Sequence, residues 1–183
     1  MKLDYETDRL RLLICSEEYS AALLNFVTEN KEFFAPWESR RLPAFYTEEF
    51  QAQVLRAEFQ AALRCAYLRY YLFLKEDSER IIGTVSFSNI SRGEDKSCRV
   101  GYKLAKAHTG RGYAEEALRL LLAEIHKDLS IHRVEADIMP DNLPSLRLIE
   151  RLGFVYEGVA RSSHEINGVW SDHLRYSYIF AHQ

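Results

Sequence analysis

Apolar and polar positions change period several times along the chain, and each change marks an element. Thr7 to Ile14 begins by alternating and reads as a strand. From Ser16 the period lengthens. Ser16 with Glu17 and Glu18 supplies a cap and an acidic first turn, and Tyr19, Leu23, Phe26 and Val27 then share one helical face. Phe33 to Glu38, with Pro36 inside it, breaks that helix. Thr47 with Glu48 and Glu49 opens a second one, with Phe50, Val54, Ala57 and Ala61 on one side. Tyr67 to Lys75 and Ile81 to Ile90 are rich in aromatic and β-branched residues and read as hairpin strands joined by Glu76 to Glu79. Ser91 to Asp95 turns into a further strand that ends at Leu104. Ala114, Leu118, Leu121, Leu122, Ile125 and Leu129 form a helical stripe of about four turns. His132 to Met139 is a short strand. Asp141 and Asn142 cap a helix with Pro144 in its first turn, and Gly153 closes it. Phe154 onward is a strand whose hairpin partner, Trp170 to Phe180, lies across Asn167-Gly168. The pattern predicts an α/β (α+β) domain spanning residues 1–183. It has a mixed sheet of about seven strands and about four helices.

The length of 183 residues suits one domain. With 47% hydrophobic and 28% charged residues the composition is that of a soluble globular protein. A net charge of -3 argues against nucleic acid as a partner. No apolar run approaches the roughly 20 residues that cross a bilayer, and Met1 to Glu6 has no apolar signal core. Cys15, Cys65 and Cys98 are far apart and odd in number. They predict neither a disulfide framework nor a zinc cluster, and they suit a reducing cytoplasm. Cys98 reads as a structural thiol.

The chemistry concentrates after the strand that ends at Leu104. A polar loop there carries Gly110 and Gly112, and an amphipathic helix starts at once. Glycine lets a ligand approach the backbone. The first turn of a helix offers unpaired N–H groups and the positive end of the dipole. Together they suit a phosphate or pyrophosphate. The alternative is a strand-to-helix turn that needs glycine for its own geometry. A dinucleotide fingerprint is excluded, because Glu115 holds its last glycine or alanine position and the upstream segments are hairpins. A P-loop is excluded because no Gly-Lys-Ser/Thr is present.

His108-Thr109-Gly110-Arg111-Gly112-Tyr113-Ala114 resembles the pyrophosphate loop of the GNAT acetyltransferases. Asn142, Ser145 and Leu152-Gly153-Phe154 resemble the N-x-x-S and L-G-F signature of the same superfamily, about 30 residues further on. The likeness is closer to the ribosomal-protein N-terminal acetyltransferases of the RimJ/RimL type. Glu29 to Phe33, Pro36-Trp37-Glu38, Ile81-Ile82-Gly83, Phe87-Ser88-Asn89 and Gly168 to His173 carry it across nearly the whole chain.

The resemblance implies a GNAT fold whose sheet splays after the fourth strand, near Lys103 and Leu104. Acetyl-CoA enters that wedge as co-substrate, its pantetheine arm bonded to the strand backbone. Its pyrophosphate meets the amides of Thr109, Gly110, Arg111, Gly112, Tyr113 and Ala114. No metal is implied. Ile149 stands where many members have a tyrosine acid, so that route is excluded. Ser145 is implied as the donor to the departing thiolate, against a plain first-turn serine. Asn142 is implied as a contact for the pantetheine arm, against a plain helix cap. Asp137 and His164 both match catalytic positions of relatives and compete with water for the role of base. Trp37 and Glu38 are expected to shape the acceptor pocket. The implied acceptor is the α-amino group of a protein, a ribosomal protein above all. A small amine, or an acyl-CoA-binding module without turnover, are the alternatives. Monomer and homodimer both remain open, and neither nucleic acid nor membrane is an expected partner.

Overall fold

Alternating leucines make the first long-range pairing. Leu10 and Leu12 are fully buried on one side of a short strand, while Arg11 and Leu13 are half-buried on the other, where Leu13 packs against a second apolar cluster. The computed structural model describes residues 1–181. Within them lies one mixed sheet of eight strands with five helices. Strand β1 (Asp4–Glu6) pairs antiparallel with β2 (Leu10–Leu13) across a turn in which Thr7 Oγ1 accepts from the Leu10 amide at 3.0 Å. The alternation predicted only one strand here. In β1 Tyr5 alone faces the core, and a three-residue strand is too short to show a period.

Helix α1 (Ser20–Glu29) is followed by the single turn α2 (Lys31–Phe34), which raises the helix count above four. Helix α3 (Glu48–Leu63) starts at Thr47, whose hydroxyl accepts from the Phe50 amide at 3.3 Å. Strands β3 (Leu68–Leu74), β4 (Asp77–Ser91) and β5 (Ser97–Leu104) then meander. Helix α4 (Tyr113–Leu129) crosses to β6 (Arg133–Ile138), and α5 (Leu143–Arg151) leads to the hairpin β7 (Val155–Ile166) and β8 (Val169–Ile179). The spatial order is β1-β2-β3-β4-β5-β6-β8-β7.

Both faces of the sheet are covered. Leu118, Leu121 and Ile125 of α4 are fully buried against Leu10, Tyr70 and Phe87 on one face. Phe26 of α1 and Leu55 of α3 pack on Tyr71 and Phe73 on the other. Each such side chain contributes about 1.5–3 kcal/mol by leaving water.

Strands β5 and β6 run parallel, joined by α4 as the sequence predicted. Their register covers only Ser97↔Arg133, Cys98↔Val134 and Arg99↔Glu135. Beyond Arg99 the strands part. β5 stays on β4 as far as Gly83↔Leu104, and β6 stays on β8 as far as Ile138↔Leu174. The split therefore begins at Val100, earlier than the expected point past Leu104. It follows the fifth strand in chain order, because β1 shifts the count.

Candidate active site

The gap between β5 and β6 opens into a cleft of about 1150 Å3. At one end lies the glycine loop. Gly110 and Gly112 have φ of +74° and +81°, the left-handed region that favours glycine. Gly112 is the N-cap of α4 and offers no side chain to cap it. The amides from Gly110 to Glu115 donate to no backbone acceptor among the described residues. The acids of that first turn are both engaged, although Glu115 lines the cleft. Glu115 binds Arg119 and Arg151, and Glu116 binds Thr7 and Arg9. What faces the cleft is a row of free amides at the positive end of a seventeen-residue helix, a setting that favours an anion.

The loop is held from two sides. Asn30, buried at the end of α1, accepts from the Lys106 amide at 2.9 Å and donates to the Phe26 carbonyl at 2.9 Å. Arg9, from the β1–β2 turn, donates to the Arg111 carbonyl at 3.0 Å and lies 4.6 Å from the centre of the Tyr113 ring. Nothing in the sequence marked Arg9, which stands far from the loop along the chain. Thr109, Gly110, Gly112 and Ala114 line the cleft. Arg111 and Tyr113 do not: the Tyr113 ring is buried, so Tyr113 has only backbone to offer, while Arg111 is exposed. Thr109 turns its hydroxyl inward to the Lys106 carbonyl at 2.9 Å.

Along the gap, the edge of β5 from Val100 to Leu104 has no strand partner on its β6 side. Facing it, Asn142 caps α5 by accepting from the Ser145 amide at 3.3 Å. Tyr102 donates to the Ser145 carbonyl at 3.1 Å and ties α5 to β5. The Ser145 side chain stands within hydrogen-bonding reach of the Tyr102 phenol, and Ser145 lines the cleft. Cys98 is buried and pushed up to about 12 by burial and then by Glu135, which leaves it a protonated structural thiol.

The other half of the cleft is roofed by the segment 35–46. Trp37 and Glu38 both line it. Asn167 donates to the Ala35 carbonyl at 2.8 Å and Ser39 to the Glu165 carbonyl at 2.7 Å, which fastens this segment to the tip of the β7–β8 hairpin. Glu38 accepts from Lys103 Nζ at 2.6 Å and has Arg41 at 3.5 Å. Burial lowers the pKa of Lys103 against the upward pull of Glu38.

Asp137 lines the cleft with a side chain only 2% exposed. Arg175 holds its two oxygens at 2.9 and 3.2 Å, and Arg99 stands at 3.2 Å. Burial pushes its pKa up, but the Arg175 bonds and the Arg99 charge outweigh that, and the net shift is downward. A carboxylate so held is a weak base, which weighs against the catalytic role expected for it and makes it a clamp between β5, β6 and β8. His164 does not line the cleft; His173 does. Its Nδ1 lies 3.2 Å from the Ser171 carbonyl and 3.3 Å from Ser163 Oγ. A proton on Nδ1, donated to that carbonyl, leaves the Nε2 lone pair available.

The acetyltransferase (GNAT) domain profile matches residues 9–155. A probable N-acetyltransferase of Bacillus subtilis (strain 168) is 39% identical over 150 residues, 82% of each chain. The [ribosomal protein uS5]-alanine N-acetyltransferase of Escherichia coli (strain K12) is 33% identical over 175 residues, 94% of this chain and 89% of its own. Among solved structures, the ribosomal-protein-S5-alanine acetyltransferase from Vibrio fischeri superposes with a TM-score of 0.91 at 30% identity over 97% of both chains. The microcin C7 self-immunity acetyltransferase MccE, solved with acetyl-CoA and AMP, superposes with a TM-score of 0.85 at 26% identity, covering 95% of this chain and 94% of its own.

Proposed function

The chain belongs to the GNAT acetyltransferase family, and we propose that it acetylates the N-terminal α-amino group of a ribosomal protein with acetyl-CoA. The uS5-alanine enzymes among its relatives support an alanine-initiated acceptor. One observation carries the cosubstrate assignment. The unpaired edge of β5 leads from free amides at Gly110 to Glu115 to Ser145, which lines the cleft. That is the order of a pyrophosphate, an extended amide-bearing arm and a thioester. The residues fit, since no side chain fills the space at Gly110 and a strand edge suits amide groups.

Acetyl-CoA supplies an acetyl group already activated as a thioester. The chain's own residues supply position and protons. The amides of Gly110 to Ala114 hold the diphosphate, that of Thr109 being donated to the Lys106 carbonyl at 3.4 Å. Asn142 and the β5 backbone orient the arm, and Ser145 donates to the sulfur as its charge develops. His173 Nε2 takes the proton that the acceptor amine must lose. Asp137 keeps Arg99 and Arg175, and through them the two parted strands, in place.

The test is release of free CoA thiol with acetyl-CoA and a panel of alanine-initiated peptides, serine-initiated peptides and small amines. The alanine-initiated peptides should turn over fastest. Turnover on small amines alone overturns the acceptor assignment. CoA binding without turnover on any of them marks a binding module.

A further inference from the structure

The cleft's carboxylates are Glu38, Glu58, Glu115 and Asp137. Three of them are held by guanidinium groups. Glu115 has Arg119 at 2.8 Å and Arg151 at 3.1 Å. Asp137 has Arg175 and Arg99. Glu58 has Arg69 at 2.6 Å and accepts from the Tyr71 hydroxyl at 2.8 Å. A planar fork of that kind is not reproduced by a primary amine.

Glu38 differs. Its near partner is an ammonium, Lys103 Nζ at 2.6 Å, and Arg41 stands back at 3.5 Å. The same ammonium lies 4.6 Å from the centre of the Phe34 ring and 5.8 Å from that of Phe26. Both rings are buried. One carboxylate and two aromatic faces thus surround a primary ammonium inside the acceptor half of the cleft. An incoming amine in its charged form offers the same donors in the same shape.

We propose that Glu38, Phe26 and Phe34 form the receiving site for the acceptor's ammonium group, and that Lys103 is a built-in occupant which the acceptor displaces. This rests on reading the chain as an amine acetyltransferase. The exchange swaps one cation for another, so half-buried Glu38 keeps a close counter-charge throughout. The Lys103 side chain is 28% exposed, and its flexible stem carries the displaced ammonium toward solvent. Burial lowers the pKa of the ammonium now in place, and the same surroundings ease loss of a proton from the acceptor before it attacks. The bonds of Asn167 and Ser39 fasten the segment that carries Glu38 independently of Lys103. Removing the Lys103 amine therefore empties the site without freeing its roof.

Steady-state kinetics with acetyl-CoA and an alanine-initiated hexapeptide amide test the exchange. Glu38→Gln should raise the acceptor KM by about tenfold or more, the loss of one charge-assisted contact. Lys103→Met should move the acceptor KM the other way. A side chain in place nine-tenths of the time weakens apparent binding about tenfold, and its removal restores that factor. An unchanged acceptor KM in Glu38→Gln overturns the proposal. So does a Lys103→Met variant whose acceptor KM rises with that of Glu38→Gln, because the pair would then be a strut. A second readout needs no turnover: acylation of Lys103 by the N-hydroxysuccinimide ester of acetic acid, followed by mass spectrometry without acetyl-CoA. The free-amine hexapeptide should speed labelling and its N-acetylated form should not; equal labelling with both overturns the site. If labelling responds but no amine releases CoA, the transferase reading fails and the ammonium site stands.

Discussion

Asp137→Asn separates a carboxylate that holds the fold from one that does chemistry. The side chain is 2% exposed and faces two guanidinium groups, Arg175 at 2.9 and 3.2 Å and Arg99 at 3.2 Å. Asparagine keeps the shape and one acceptor oxygen but removes the charge. Breaking a buried ion pair costs about 3–5 kcal/mol. Here the guanidinium partners are 36% and 29% exposed and recover part of their hydration. The expected loss is therefore about 2–3 kcal/mol. For a chain of this size that lowers the melting temperature by about 5–10 °C. The pH dependence has a definite sign. The folded-state pKa of Asp137 is depressed by the Arg175 bonds and the Arg99 charge, which outweigh burial. Its stabilisation is present above the unfolded value of about 3.9 and is lost as pH falls through the folded value. Urea unfolding curves of wild type and Asp137→Asn should be well separated at neutral pH, begin to approach one another as pH drops below about 4, and meet only below the depressed folded value. Turnover, measured below both melting temperatures, should change by less than about tenfold. A variant that melts with the wild type yet loses about 10²–10⁴ in kcat would refute this reasoning and make Asp137 the base.

Gly112→Val places a β-branched residue at φ +81°, with its Cβ 3.4 Å from Arg9, and should weaken CoA binding strongly in calorimetry while far-UV circular dichroism stays native. Equal affinity for CoA would remove the loop from the site. Ser145→Ala should lower kcat by about 10²–10⁴ and leave the acetyl-CoA KM nearly intact, since the contact strengthens in the transition state; near-normal turnover reduces Ser145 to a helix residue. His173→Gln should lower kcat/KM for the acceptor by about 10²–10⁴, and near-normal turnover takes the ring out of the proton path.

Much of the site was legible because its parts are local. The glycine pair, the helix stripe beyond it and the Asn142 cap each occupy consecutive residues, and local geometry follows local sequence. What escaped the sequence depends on partners far along the chain. Arg9 reaches the loop only because β1 and β2 close a turn beside it. The clamp on Asp137 needs β8 to lie between β6 and β7. The histidines show the same limit in a subtler way. His164 and His173 both sit on the last hairpin, but the register shifts between Ala160 and His164. There Ser162 adopts φ +44° and its amide donates to Asp172 at 2.8 Å. Such a bulge breaks the alternation that tells one face of a strand from the other. Counting residues from the turn therefore does not say which ring meets the cleft.

The bare edge of β5 makes the sheet unfinished in a functional sense. On the proposed reading, an extended molecule lying from Val100 to Leu104 would serve as a strand lent by another chemistry. Saturation then acts on the whole fold: at a hundred times Kd the bound form gains about 2.7 kcal/mol by mass action. Amide hydrogens along that edge should exchange quickly in the free protein and slowly in the bound one.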